Sequence, residues 1–124
     1  MITGTTRLAC VIGHPVRHSL SPVLMNTAFA ASGLDAVYVA LEVAPGEADR
    51  AVAAMRAMGY LGMNVTMPHK QQVYESVDEL DPAAGALGAV NCVVPFGDGT
   101  GRVRGHNTDG DGFVDSTRLD AGFD

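Results

Sequence analysis

The chain has 124 residues, enough for one domain with its own core. Apolar side chains make up 47% of it and turn signals recur regularly, which argues against disorder. A formal net charge of -6 argues against a general nucleic-acid or anionic-membrane surface, but leaves room for a small anionic ligand held by a few local groups.

Leu8 to Gly13 is a short continuous apolar run, the mark of a strand buried on both faces, and His14-Pro15 ends it. Pro15 to Pro22 reads as a loop entering a helix, with Ser21 as N-cap and Pro22 in the first turn. Leu24, Ala28 and Ala31 supply that helix's apolar stripe, and Gly33 ends it. Val37 to Val43 is the second strand. Pro45 and Glu47 then open a helix whose Ala48, Ala51, Val52, Met55 and Met58 share one face, closed by Gly59.

The third strand, Leu61 to Val65, feeds a short helix held down by Val73 and Val77. Asn64 and Thr66 are two residues apart and project to one side, while Val65 points to the other. Pro68 suits the first helical position, so His69 and Lys70 fall in the first turn. An ammonium there is disfavoured by roughly 0.3–1 kcal/mol. A cation that breaks a local rule is a candidate for function.

Asp81-Pro82 starts another short helix, ending near Gly88, and Ala89 to Val94 reads as the fourth strand. Gly97 to Gly101 is a turn, and Arg102 to Gly105 a fifth strand returning antiparallel to the fourth. The last helix is expected from about Thr108 to Leu119. Strand and helix alternate through most of this. The expected fold is therefore α/β: a single three-layer domain over residues 1–124, with a mostly parallel, mixed sheet of about five or six strands flanked by helices. The abundance of glycine and alanine fits close approach of helices to the sheet.

No apolar run approaches the roughly 20 residues of a membrane span, and the N-terminus lacks the pattern of a secretory signal. Cys10 and Cys92 lie in apolar, strand-like runs and read as buried free thiols rather than a disulfide, so a cytoplasmic location is expected. His14, His18, His69 and His106 stand in separate contexts without metal-ligand spacing. Asn107, Asp109, Asp111, Gly112 and Asp115 partly fit a calcium loop, but its last ligand position is Arg118, a cation. No metal is expected. Nor is there a G-x-G-x-x-G dinucleotide fingerprint.

In parallel α/β domains ligands gather beyond the carboxyl ends of the strands. Ser19 with Ser21, Asn64 with Thr66 and Lys70, Asn91, and Asn107-Thr108-Asp109 all fall at such exits or at helix starts. Plain structural roles compete at each. Ser21 suits a helix cap, Asn91 a strand-edge amide satisfied by backbone, and Asp109 a partner for its own helix N-terminus.

Asn64-Val65-Thr66-Met67-Pro68-His69-Lys70 resembles the signature of the shikimate dehydrogenase family. Ile12-Gly13-His14-Pro15 with His18-Ser19-Leu20-Ser21-Pro22 resembles its substrate-carboxylate loop, and Gly88-Ala89-Val90-Asn91 its Gly-Ala-Val-Asn-Thr, with Cys92 in place of the threonine. Gly105 to Gly112 resembles its Gly-x-Asn-Thr-Asp-x-x-Gly. One departure is Met25-Asn26, where many members carry His-Asn.

The resemblance implies that Lys70 is the catalytic group, paired with Asp109. It implies that Ser19 and Ser21 hold a ring carboxylate, that Asn64 and Thr66 face the substrate, and that Asn91 binds a ring hydroxyl. The implied reaction is the NADP-dependent interconversion of 3-dehydroshikimate and shikimate, in aromatic amino acid biosynthesis. A helix N-terminus and desolvation favour a neutral Lys70 amine while Asp109 favours ammonium. Both proton transfer and charge stabilisation are compatible with that placement.

Family members continue into a second, Rossmann-type domain that binds NADP. This chain has no such site, so it is expected to need a C-terminal cofactor domain or a separate partner and to be inactive alone. The rival reading is a stand-alone, non-catalytic binding module for a shikimate- or quinate-like hydroxy acid. Retention of Lys70 and Asp109 favours the enzyme, because a binder has no need of that pair. The residues do not separate shikimate from quinate or aminoshikimate.

Overall fold

A computed structural model of the chain describes residues 1–109. Six strands form one mixed sheet: β1 (Arg7–Gly13), β2 (Ala36–Glu42), β3 (Gly62–Val65), β4 (Glu79–Leu80), β5 (Cys92–Pro95) and β6 (Val103–His106). Between them lie α1 (Ser21–Ser32), α2 (Ala48–Met58), α3 (Lys70–Tyr74) and α4 (Pro82–Leu87). The strand order is β2-β1-β3-β5-β6-β4. β1 pairs parallel with β2 and β3, and β4 pairs parallel with β6. β5 runs antiparallel to both β3 and β6. The α/β class with a mixed, helix-flanked sheet is thus the observed architecture.

Alternation along the strands sorts residues to the two faces. Cys10, Ile12, Met63, Val65, Val93 and Val103 point to the face covered by α2, α3 and α4, where they meet Val52, Met55, Val73 and Ala84. Ala9, Val11 and Tyr38 point to the other face, where among the described residues they meet α1 through Met25 and Phe29, together with Val16, Ala40 and Leu61. Gly33, Gly59 and Gly88 end α1, α2 and α4 in the left-handed region, at φ 71°, 67° and 65°. Both cysteines are free, and burial pushes the Cys10 thiol up to about 12. No described helix is long and apolar enough to cross a membrane.

Several elements differ from the sequence reading. Helix α1 does not use Leu24, Ala28 and Ala31 as its inner stripe; all three are exposed. The cause is Asn26. Its amide donates to the Tyr38 carbonyl and accepts from the Tyr38 N–H, each at 2.8 Å, and this pair fixes the rotation of the helix on the sheet edge. Ser21 is not the N-cap: Leu20 holds that position without a side-chain bond, and Ser19 Oγ accepts from the Ser21 N–H at 3.2 Å.

Pro68 lies before α3 rather than in it, and His69 is the N-cap residue. His69 is 1% exposed, with Nε2 2.8 Å from the Val43 carbonyl, so the turn is anchored from beneath and the helix starts at Lys70. Met58 of α2 is exposed. β4 was not anticipated, since its two residues gain strand geometry only by pairing with Arg104 and Gly105. The expected last helix lies, beyond Asp109, outside the described residues.

Candidate functional site

The parallel exits of β1 and β3 are drawn together by backbone bonds. Thr66 N–H donates to the Ile12 carbonyl at 3.0 Å and His14 N–H to the Met67 carbonyl at 3.0 Å. They approach so closely that a Cβ on Gly13 would lie 2.5 Å from Thr66 Cγ2. Gly13 therefore has a packing reason to be glycine. Beside this junction is a cavity of about 340 Å³ lined by residues that include His14, His18, Ser19, Ser21 and Thr66. Its walls mix hydroxyls and imidazoles with Val11, Val16 and Met67, a composition suited to a small polar ring.

A second cluster forms where α3 begins. Lys70 Nζ is 2.5 Å from Asp109 Oδ2, although the two are 39 residues apart in the chain. Lys70 is about one-third exposed and Asp109 about half. Three backbone bonds bring these segments together. The Val90 N–H donates to the Lys70 carbonyl, the Val65 N–H to the Asn91 carbonyl, and the Asn91 N–H to the His106 carbonyl. The antiparallel β5–β6 ladder then returns the chain to Asp109. The hydrogen bond from Lys70 holds the Asp109 carboxyl below the usual carboxylate range, against the opposing effect of desolvation, with a further contribution from Asn91.

Asn91 is engaged differently from a simple strand-edge amide. Its Nδ2 donates to Thr108 Oγ1 and Asp109 Oδ1, both at 2.9 Å, and its Oδ1 accepts from the Thr108 N–H at 3.1 Å. Asn107 is buried, with Nδ2 on the Ala89 carbonyl, and its Oδ1 accepts the Asp109 N–H at 2.9 Å. Lys70 and Asn91 thus hold one carboxylate oxygen of Asp109 each, and Asn107 holds its backbone.

Asn64 is exposed on the face opposite its neighbours Met63 and Val65, and its Oδ1 accepts from the Tyr38 hydroxyl at 2.7 Å. The structure therefore gathers Ser19, Ser21 and Thr66 around one cavity, and Lys70, Asn91 and Asp109 into one hydrogen-bonded set. Asn64 and Lys70 lie on either side of Thr66 along the chain and are not among the residues lining the cavity. Sequence reasoning passed over Tyr38, and it named Gly13 only at the end of the first strand and in the carboxylate-loop motif. A tyrosine in a short buried strand was a usable signal, because its hydroxyl must find a partner.

The model of the shikimate dehydrogenase substrate binding domain matches residues 11–93. A shikimate dehydrogenase (NADP(+)) from Rubrobacter xylanophilus is 53% identical over 113 residues, covering 91% of this chain and 39% of its own. Its counterpart from Moorella thermoacetica is 45% identical over 123 residues, 99% of this chain and 40% of its own. The crystal structure of shikimate 5-dehydrogenase from Listeria monocytogenes, in complex with shikimate and NAD, superposes with a TM-score of 0.86 at 46% identity. That match covers 99% of this chain and 41% of the other. The chain spans about two fifths of the length of these relatives. On a match that runs through most of its length, the chain belongs to the shikimate dehydrogenase family, in the region that forms the substrate-binding domain.

Proposed function

We propose that the chain is the substrate-binding and acid/base half of an NADP-dependent shikimate dehydrogenase, interconverting 3-dehydroshikimate and shikimate once a cofactor is supplied, and located in the cytoplasm. The observation that carries the reading is the Lys70–Asp109 pair, a cation at a helix start where the dipole disfavours it. A carboxylate that only completed a fold would not need to bring an ammonium to that place.

In this reading the Ser19 and Ser21 hydroxyls, on the wall of the cavity, receive the ring carboxylate. Asn64 and Thr66 meet ring hydroxyls. Asn91 serves through the remaining lone pair of Oδ1 while its two N–H groups hold Thr108 and Asp109. Asp109 keeps the Lys70 ammonium aimed at the substrate oxygen that changes between carbonyl and alcohol.

The described residues do not fit a dinucleotide. The turns leaving β1 and β3 carry Pro15 and Pro68 where a pyrophosphate needs glycine N–H groups at a helix start. Hydride transfer therefore requires a cofactor domain or a separate partner, and the chain alone binds without turnover. Calorimetric titration of the chain with shikimate, 3-dehydroshikimate and quinate is the direct test. Saturable binding of the first two, weakened at least tenfold in Ser19→Ala, is expected; no heat at millimolar ligand would overturn the reading.

A further inference from the structure

Tyr38 belongs to none of the groups assigned above, yet its hydroxyl reaches one of them. The side chain is 2% exposed, on β2, and its hydroxyl donates to Asn64 Oδ1 at 2.7 Å. Burial pushes the phenol up to about 12, so it stays protonated at any working pH.

The tyrosine backbone is held as firmly as its ring. β2 is an edge strand, and an edge strand leaves backbone groups without ladder partners. At Tyr38 both outward groups are taken by the Asn26 amide of α1, N–H to Oδ1 and C=O to Nδ2. Helix, edge strand and phenol thus form one relay that ends on the Asn64 amide. An asparagine amide can present either its oxygen or its nitrogen to a ligand. Here the phenol donates to the amide oxygen, which leaves Nδ2 for the ligand.

We propose that Tyr38 is a positioning residue that fixes the Asn64 amide with Nδ2 presented to a ring-hydroxyl oxygen, and that Asn26 holds Tyr38 in place from α1. The inference rests on the shikimate-binding reading above. It predicts coupling that a merely structural tyrosine would not have. Tyr38→Phe weakens shikimate binding about fivefold in the otherwise unchanged chain and has no effect once Asn64 is replaced by alanine.

Four proteins complete the cycle: the unchanged chain, Tyr38→Phe, Asn64→Ala and the double variant, each titrated with shikimate. Equal weakening in both backgrounds, or none in either, overturns the proposal. A second readout needs no ligand: the Asn64 side-chain amide resonances of the ligand-free chain shift in Tyr38→Phe, and also in Asn26→Ala, which leaves the ring intact. If the unchanged chain binds no shikimate, the functional reading falls. If the amide resonances ignore both substitutions, the positioning role falls, whether or not shikimate binds.

Discussion

The face of the sheet that carries α2, α3 and α4 and the face that carries α1 are built on different terms. The first holds a continuous core of side chains from β1, β3, β5 and β6, with Ile12, Met55, Met63, Val73, Val93 and Val103 all almost fully buried. Among the described residues the second has Ala9, Val11, Val16 and Tyr38 buried, and α1 itself buries no residue fully. Of the groups proposed to meet ligand, Asn64 lies on this thinner side and Ser21 at the start of α1, while Lys70 opens α3 of the other. Apolar burial on one face maintains the fold, which leaves polar groups on the other open to a ligand.

The largest expected effect breaks the comparison if it fails. Met63→Ala, at 2% exposure in the main core, is expected to cost about 2–5 kcal/mol, from lost transfer energy plus a cavity. Phe29→Ala, on the partly buried side of α1, is expected to cost clearly less. Denaturant midpoints at constant m-value measure both. Equal losses would mean that α1 carries as much of the fold as the three helices opposite.

A smaller effect concerns the seam of the core face. Asp78 Oδ2 accepts from the Val103 N–H at 2.8 Å and from Arg56 Nη2 at 2.9 Å, tying α2 to the start of β6. The Val103 N–H, helped by Arg56 and opposed by burial, holds this carboxyl below its ordinary range. A depressed carboxylate stabilises the fold above its unfolded pKa of about 3.9 and loses that contribution as the pH falls through the lowered folded value. Asp78→Asn should therefore cost about 1 kcal/mol at neutral pH, with the difference shrinking below about pH 4. Paired urea melts at the two pH values check it. A gap unchanged in acid would show that the carboxylate's charge is not what closes the seam.

The strands and longer helices were legible because apolar runs and terminal glycines mark them locally. The two-residue β4 was not, because only its partner on β6 makes it a strand. Lys70 and Asp109 were joined through family resemblance; no local rule links residues 39 apart, and it is the β5–β6 ladder that returns one to the other. The engagement of Asn91 with Thr108 and Asp109 was hidden for the same reason, since strand register decides which amide meets which loop. Tyr38 was passed over within the strand Val37 to Val43, because alternation gives a side chain's face and says nothing of what its hydroxyl touches.

The smallest expected effect tests the face of α1 that sequence spacing misread. Leu24 is 67% exposed, beside Val23 at 66%, whereas Met25 and Phe29 turn toward the sheet. An apolar side chain already in water loses little on becoming polar, so Leu24→Ser should change stability by no more than about 0.5 kcal/mol. Asn26 is what makes this so, because its two bonds to Tyr38 leave the helix one rotation about its axis. If Leu24→Ser cost as much as Phe29→Ala, the helix would have turned its leucine inward. The Asn26 clasp, and with it the thin and open character of that face, would then not describe the chain in solution.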